Sequence, residues 1–402
     1  MVTTNSAIVG KPLAADHAGR LTTRELMSPV AFAELAPVWT DLAARAAAPS
    51  LFLTLEWFET WWHCHGRGRQ LLIIVVEQAA RVIGIAPLML TRRIAGCLPF
   101  AKIEFLSMMR YANSPLNCAG SLDIIAAERY DEVVARVLEH LLERRDWDCL
   151  RLHPVNLAGR LPEQLELLAR EQRLRHHRAH VFANSCIAWP GDFTAYAAMR
   201  PAGLQKKRRQ AEARLRARGA IAYRDHRSFA ELPGGFAAIE AIERRSWKWR
   251  RGLTISSRWY RGFYRRLAEV AGERGWLHLR TLELEHTPIA YDYNVAFAGR
   301  VVSLKASFDA AYASYSPGTL LQWDVIKQFL EAGVHHIDLL WGNATYKRRW
   351  ATQVEPHVEI FLFNRTRAAS VLHALLFWLR LHRPMRYLIN GLHRLAWRLG
   401  AG

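Results

Sequence analysis

Acid is scarce in this 402-residue chain: 36 Asp and Glu stand against 55 Lys and Arg, a formal net charge of +19. Cysteine is scarce too, with five residues at positions 64, 97, 118, 149 and 186. An odd number, widely spaced and without a C-x-x-C pair, excludes a disulfide framework and a structural zinc site of the usual spacing. A reducing cytosol is the expected setting. Long apolar runs are missing as well. The longest near the C-terminus, Val371–Leu379, is broken by His373 and falls short of the about 20 residues that a membrane span needs. The N-terminal residues show no apolar run flanked by basic ones, so no secretory signal is expected there. Neither a triplet nor a heptad period is present, which excludes collagen-like and coiled-coil architecture. No G-x-S-x-G elbow points to a serine hydrolase and no G-K-[ST] loop to an NTPase.

What is present is ordinary globular composition, 51% hydrophobic and 23% charged, ample for a buried core. The excess charge is concentrated. Residues 200–218 carry eight basic side chains and one acid, residues 244–266 carry nine basic and no acid, and residues 367–402 carry six Arg and no acid. Such patches attract phosphate-bearing ligands, anionic lipid or nucleic acid, or else form solvated helix faces. In the last patch Met385, Leu388, Leu392, Leu395 and Leu399 recur at helical spacing with Arg386, Arg394 and Arg398 between them. That is the pattern of a basic amphipathic helix on an anionic membrane, or of a terminal helix docked on a core.

The chain repeats its own grammar. Phe229-Ala230-Glu231-Leu232 echoes Phe32-Ala33-Glu34-Leu35, and Ser257–Tyr260 echoes Leu55–Phe58. The strand pair Leu277–Leu284 and Thr287–Phe297 echoes Leu71–Glu77 and Arg81–Leu90. The helix Leu320–Ala332 with strand Ile337–Leu340 echoes Tyr130–Arg144 with Asp148–Leu152. Five elements recurring in one order predict two copies of one α/β (α+β) unit. The expected division is a flexible leader over 1–24, domains at 25–185 and 186–365, and a basic helical tail over 366–402.

The stretch Val301–Trp350 is richest in chemistry. A strand leads through Asp309, Tyr312 and Tyr315 to Ser316-Pro317-Gly318-Thr319, where a helix begins that Gly333 closes. A small-residue turn feeding a helix start exposes backbone N–H groups suited to phosphate, although a plain turn looks the same. Then come Ile337–Gly342, a short strand ending in Gly, and Tyr346-Lys347-Arg348-Arg349-Trp350. Lys347 is placed to hold phosphate or carboxylate, or to steady developing negative charge.

The run D-x-x-Y-x-x-Y-S-P-G-x-L-L, a helix, G-x-x-x-x-D-L-x-x-G and Y-K-x-x-W resembles the GNAT-like acetyltransferases of the CelD/BcsL family, associated with cellulose and exopolysaccharide loci. It is carried by Asp309, Tyr312, Tyr315, Ser316, Pro317, Gly318, Leu320, Leu321, Gly333, Asp338, Gly342, Tyr346, Lys347 and Trp350. Phe52–Trp57 with Trp61-Trp62, Gly84–Leu88 and the basic helix Lys206–Arg218 also have family counterparts. The pattern is similar, more distantly, to the FemAB peptidyltransferases, which join two GNAT-like domains and draw on aminoacyl-tRNA.

The resemblance implies two tandem GNAT-like domains, each a mixed, mostly antiparallel sheet flanked by helices. It implies direct acyl transfer from acetyl-CoA or another acyl-CoA to an amine or hydroxyl of a sugar-linked or polysaccharide precursor. Ser316, Pro317, Gly318 and Thr319 would grip the donor phosphates. Lys347, Tyr346, Asp338 and Asp309 would be the catalytic set, with Tyr346 and Lys347 meeting donor or acceptor, Asp309 in the acceptor cleft and Asp338 acting as base or as a structural cap, while Tyr312, Tyr315 and Trp350 would bind the acceptor. The pyrophosphate loop Q/R-x-x-G-x-G/A of single-domain GNAT enzymes is missing. A cytoplasmic enzyme is expected, with peripheral contact to the inner membrane face through 366–402. A FemAB-like transferase and a non-catalytic binder of polyanion or lipid are the alternatives.

Nucleic acid is not an expected partner, because the aromatics interleaved with basic residues over 247–266 align with the first-half helices around Trp57 and read as core and cleft wall. No metal is expected: His63-Cys64-His65 and His335-His336 lack paired ligand spacing.

Overall fold

A computed structural model describes residues 19–95, 98–107, 119–251, 254–257, 260–341 and 345–381. The tail positions Met385 to Leu399, most of the expected leader, Gly342 and Trp259 lie outside the described residues. Among those described, part of the expected leader is ordered as the first strand.

In chain order the first half runs β1 (Leu21–Leu26), α1 (Val30–Arg45), α2 (Leu55–His65), β2 (Gln70–Gln78), β3 (Arg81–Ala95), β4 (Leu98–Phe105), β5 (Ile125–Ala126), α3 (Tyr130–Glu143), β6 (Cys149–Asn156), α4 (Arg160–Glu171) and β7 (Arg175–Ala188). The second half runs α5 (Phe193–Ala198), α6 (Ala202–Arg216), β8 (Ile221–His226), α7 (Leu232–Arg244), α8 (Arg261–Glu273), β9 (Leu277–Leu284), β10 (Thr287–Phe297), β11 (Arg300–Phe308), α9 (Pro317–Glu331), β12 (His336–Trp341), α10 (Thr345–Arg348), β13 (Gln353–Phe363) and α11 (Arg367–Leu381).

All strands join one sheet in the order β1-β2-β3-β4-β6-β13-β7-β12-β11-β10-β9-β8, with β5 on the side of β3. Only β4–β6 and β11–β12 are parallel; the other pairs are antiparallel. The order is a palindrome. Replacing β1, β2, β3, β4, β6 and β7 by β8, β9, β10, β11, β12 and β13, and the reverse, returns the same sheet read backwards. The two halves therefore share one chain path and are related by an approximate two-fold through the middle of the sheet. The last strand of each half is exchanged. β7 lies between β12 and β13, and β13 lies between β6 and β7. The division at 185/186 expected from sequence falls inside β7.

Local chemistry repeats with the path. The hairpins β2–β3 and β9–β10 both turn through two residues with positive φ, Ala79-Ala80 and Glu285-His286. That is the turn whose twist suits a two-residue hairpin. α9 begins with Pro317 in its first turn, where a missing N–H costs nothing. It ends at Gly333 (φ +79), with Val334 N–H donating to Phe329 O at 2.9 Å and Gly333 N–H to Leu330 O at 3.1 Å. Two backbone carbonyls of the last turn are thereby satisfied at a left-handed glycine.

One face of the sheet is covered by α1, α2, α7 and α8 over a core that spans both halves. There Trp57 of α2 meets Phe263 of α8 edge-on, with ring centroids 5.1 Å apart. The opposite face of the second half carries a separate core under α9 and α6, built on Leu320, Leu321, Val325, Ile326, Phe329 and Trp350. A third small cluster docks Ala369 and Leu372 of α11 on Cys149 and Phe363. Among the described residues no helix is long and apolar enough to cross a membrane.

Candidate functional site

The parallel pairing of β11 with β12 lasts three residues, Arg300–Val302 against His336–Asp338. Beyond it the strands part, and residues 303–308 of β11 face a gap. Backbone carbonyls left without a ladder partner are costly to bury, and two lysines answer that need from opposite edges. Lys248, just after α7, donates to Ala306 O on β11. Lys347 of α10 donates to Leu339, Leu340 and Trp341 O on β12, at 2.5, 3.1 and 2.7 Å. Leu340 takes a left-handed φ of +61 where β12 slips its register against β7. A branched side chain tolerates that conformation poorly, so the three carbonyls converging on the Lys347 ammonium hold a strained strand end in place.

The start of α9 forms one wall. Ser316 precedes it in left-handed conformation (φ 50, ψ 45). No side chain caps the helix, and its first turn carries no acid. Thr319 and Leu320 N–H donate to Ser316 O at 2.9 and 3.2 Å, so the Gly318 N–H and the positive end of the helix dipole are what favour an anion there. A Cβ on Gly318 would come 3.1 Å from the Phe308 ring, so the turn is packed closely on the end of β11. The basic helix α6 flanks this turn. Arg214 donates to Ser314 O at 3.1 Å and Arg218 to the Tyr315 hydroxyl at 3.4 Å. Lys206, Lys207 and Arg209 are exposed on the same helix.

Polar groups inside the strands form the floor. Asp292 of β10 is 1% exposed, lies opposite Ala306 in register, and accepts from Ser303 Oγ at 3.3 Å. Burial pushes its carboxyl up to about 7, against bonds from Asn294 and Ser303 and the charge of Lys248. Burial, with Lys305 as the next cause, brings the Lys248 ammonium down to about 8. The buried Glu243 of α7 accepts from Tyr291 Oη at 2.7 Å, Ile255 N at 3.0 Å and Ser256 N at 2.9 Å. Exposed aromatics rim the second half: Trp247, Trp249, Trp341 and Tyr346. The Tyr346 ring is half exposed, while burial around its hydroxyl and the charge of Asp292 push the phenol up to about 12.

The residues expected from sequence fall into three groups. Ser316, Pro317, Gly318 and Thr319 form the start of α9, with Tyr312 and Tyr315 just ahead, ring centroids 6.5 Å apart. Tyr346, Lys347 and Asp338 gather around the end of β12. Asp338 accepts from Leu340 N–H at 2.7 Å and Asn184 Nδ2 at 3.0 Å, and burial raises its carboxyl. The third group is engaged elsewhere. Asp309 caps the short helical turn Ala310–Tyr315 and pairs with Arg245. Trp350, expected to bind the acceptor, is 2% exposed, and its ring packs on Trp323 at 6.2 Å. It belongs to the core because α10 turns it inward under α9. Asp292, Ser303, Lys248 and Glu243 are the polar residues that sequence reading missed. Their one signal is a carboxylate and an amide, Asp292 and Asn294, alternating with Tyr291, Tyr293 and Val295 in mid-strand.

Residues 203–348, which hold this gap and its walls, match the acetyltransferase (GNAT) domain family. No curated protein matches the chain by sequence. Among solved structures, a crystal structure of FemX superposes with a TM-score of 0.58 at 11% identity, over 84% of this chain and 96% of that one. A conserved protein of unknown function from Bacteroides thetaiotaomicron VPI-5482 superposes with a TM-score of 0.51 at 10% identity, over 84% of this chain and 99% of that one. At such identities the likeness is one of fold.

Proposed function

We propose that the second half of the chain transfers an acyl group, acetyl in the simplest case, from acyl-CoA to an amine or hydroxyl of a sugar-linked cell-envelope or exopolysaccharide precursor. The gap between β11 and β12 beside the uncapped start of α9 is the observation that carries this reading. An extended acyl-pantetheine chain carries amides that can pair with open strand edges, and its pyrophosphate suits the helix start with Arg214 and Arg218 nearby. The acceptor's N–H or O–H gives its proton to Asp292, whose carboxyl is poised near neutral pH. The acceptor atom attacks the thioester carbonyl, the C–S bond breaks, and the departing CoA thiolate takes up the proton held by Asp292, which returns to its carboxylate form. Lys248 supplies positive charge near the tetrahedral oxyanion.

The saccharide acceptor rests on the CelD/BcsL resemblance and on the exposed Trp247, Trp249, Trp341 and Tyr346, since flat aromatic rings suit sugar faces as well as apolar groups. Contact of 366–402 with an anionic membrane is part of the same reading, and would bring a lipid-linked acceptor to the gap. The test is release of free CoA thiol from acetyl-CoA over a panel of amino sugars, oligosaccharides and lipid-linked sugars, with aminoacyl-tRNA as a separate donor arm. Acceptor-dependent thiol release is the expected result. Transfer from aminoacyl-tRNA with no use of any acyl-CoA would replace this donor by a FemAB-like one.

A further inference from the structure

Cys186, His336 and Glu355 stand on β7, β12 and β13, the three strands at the centre of the exchange. One sulfur, one ring nitrogen and one carboxylate oxygen of these residues lie within 4.8 Å of one another. In register Cys186 lies opposite Asp338 of β12 and opposite Gln353 of β13. His336 and Glu355 therefore reach from either side across β7, and Nε2 meets Oε1 at 3.1 Å above the thiol. Tetrahedral ligands with bonds of about 2.1 Å are spaced about 3.4 Å apart, so this pair is already at ligating distance. The other ring nitrogen of His336, Nδ1, is buried with no hydrogen-bond partner among the described residues.

The surroundings favour a cation. Asp338 Oδ1 lies 3.8 Å from the sulfur. Burial, followed by the charges of Asp338 and Glu355, holds the Cys186 thiol well above its usual value. The His336 hydrogen bond keeps the Glu355 carboxyl down to about 2, with Gln353 and Arg300 acting in the same direction. Arg300 lies opposite His336 on β11 and acts on both Cys186 and Glu355. Cys186 is fully buried, whereas His336 and Glu355 remain 14% and 19% exposed, which gives an entry from the His–Glu side.

We propose that Cys186, His336 and Glu355 bind one divalent cation of the zinc type, with sulfur, nitrogen and oxygen ligands and a fourth position open to water. The thiol gives its proton to solvent as the metal binds, so thiolate and carboxylate together neutralise the ion. The mixed donor set excludes magnesium and calcium, which take oxygen ligands. Such an ion clips β7, β12 and β13 together at the strand exchange, directly beside the strand end that Lys347 holds. It is independent of acyl transfer, so failure of either leaves the other standing.

The full chain, stripped with a chelator, is titrated with Co2+. One equivalent with a thiolate-to-cobalt band in the near ultraviolet is expected, displaced by Zn2+ and abolished in Cys186→Ser. Zn2+ also raises Tm, because it binds the folded chain selectively. Glu355→Gln, which keeps the shape, weakens Zn2+ binding by roughly a factor of ten or more as one ligand becomes a neutral amide. That variant decides the matter if Cys186→Ser does not fold. Absence of the band overturns the site. So does a band or a Zn2+-induced Tm shift unchanged by both substitutions, which would assign the metal to other residues such as His63 and His65.

Discussion

The two halves of this molecule follow one path and have opposite interiors. In the first half the space between α3 and the sheet has purely apolar walls, among them Leu88, Ile124, Val134, Leu138, Leu150 and Leu152. A Cβ on Gly84 of β3 would sit 2.3 Å from Val133 of α3, so helix and strand touch without space between them. The first turn of α3 carries Asp131 and Glu132, and Arg129, left-handed like Ser316, is paired with Glu132. An anion is repelled where the equivalent turn of α9 would attract one. At the last rung of the parallel pair the first half has Glu104 opposite Arg151, tied to Lys102 and Glu359 in a closed ion network. The second half has Val302 opposite Asp338 there. Among the described residues, a duplicated fold kept its scaffold twice while the charges at its helix starts and at the last parallel rung diverged.

The sharpest break of this contrast is Asp292→Asn. It should lower transfer by about two orders of magnitude or more, the usual contribution of a positioned base. It should also flatten the pH dependence of stability. The folded chain binds the Asp292 proton more tightly than the unfolded one. Its stabilising contribution is therefore full below about pH 4 and lost as pH rises through about 7. At about 1.4 kcal/mol per unit, up to about 4 kcal/mol is involved. Urea denaturation at pH 5 and pH 8 reads this directly, with the Asn variant losing less on going to pH 8. An equal slope in both proteins would remove Asp292 as a buried, titrating carboxyl.

Lys347→Met removes three charge-assisted bonds to the end of β12 and leaves the carbonyls of a strained strand unpaired. A loss of about 2 kcal/mol or more follows, seen as a lower Tm together with weaker donor binding. Activity lost at unchanged Tm would make Lys347 a contact residue instead of a strand lock. Gly84→Val tests the closed half: overpacking against Val133 should cost about 1–3 kcal/mol while donor affinity stays as it was.

Much of the duplication was legible in the chain. The Phe-Ala-Glu-Leu echo marks the approach to α7 as it marks α1, and the two hairpins align as β2–β3 and β9–β10. Ser316-Pro317-Gly318-Thr319 is the helix start that its residues announce. The strand exchange was not legible, because the neighbours of β7 and β13 are fixed by pairing over nearly two hundred residues. Trp350 entered through the Y-K-x-x-W motif, which does not separate a cleft residue from a core one, and the turn of α10 sends it inward. Asp292 was hidden for the opposite reason: its strand alternates well enough to pass for an ordinary one. The Cys186–His336–Glu355 group was invisible to ligand spacing, since each ligand comes from a different strand.

The most direct test is calorimetric titration of the full chain with acetyl-CoA, comparing wild type with Thr319→Glu and Glu132→Ala. Thr319→Glu puts into α9 the acid that α3 already has, and Glu132→Ala removes it from α3. One equivalent bound by the wild type, weakened by roughly tenfold in Thr319→Glu and unchanged in Glu132→Ala, is the expected result. Two equivalents, none, or an affinity that follows Glu132 instead of Thr319 would contradict the assignment of the donor to the second half.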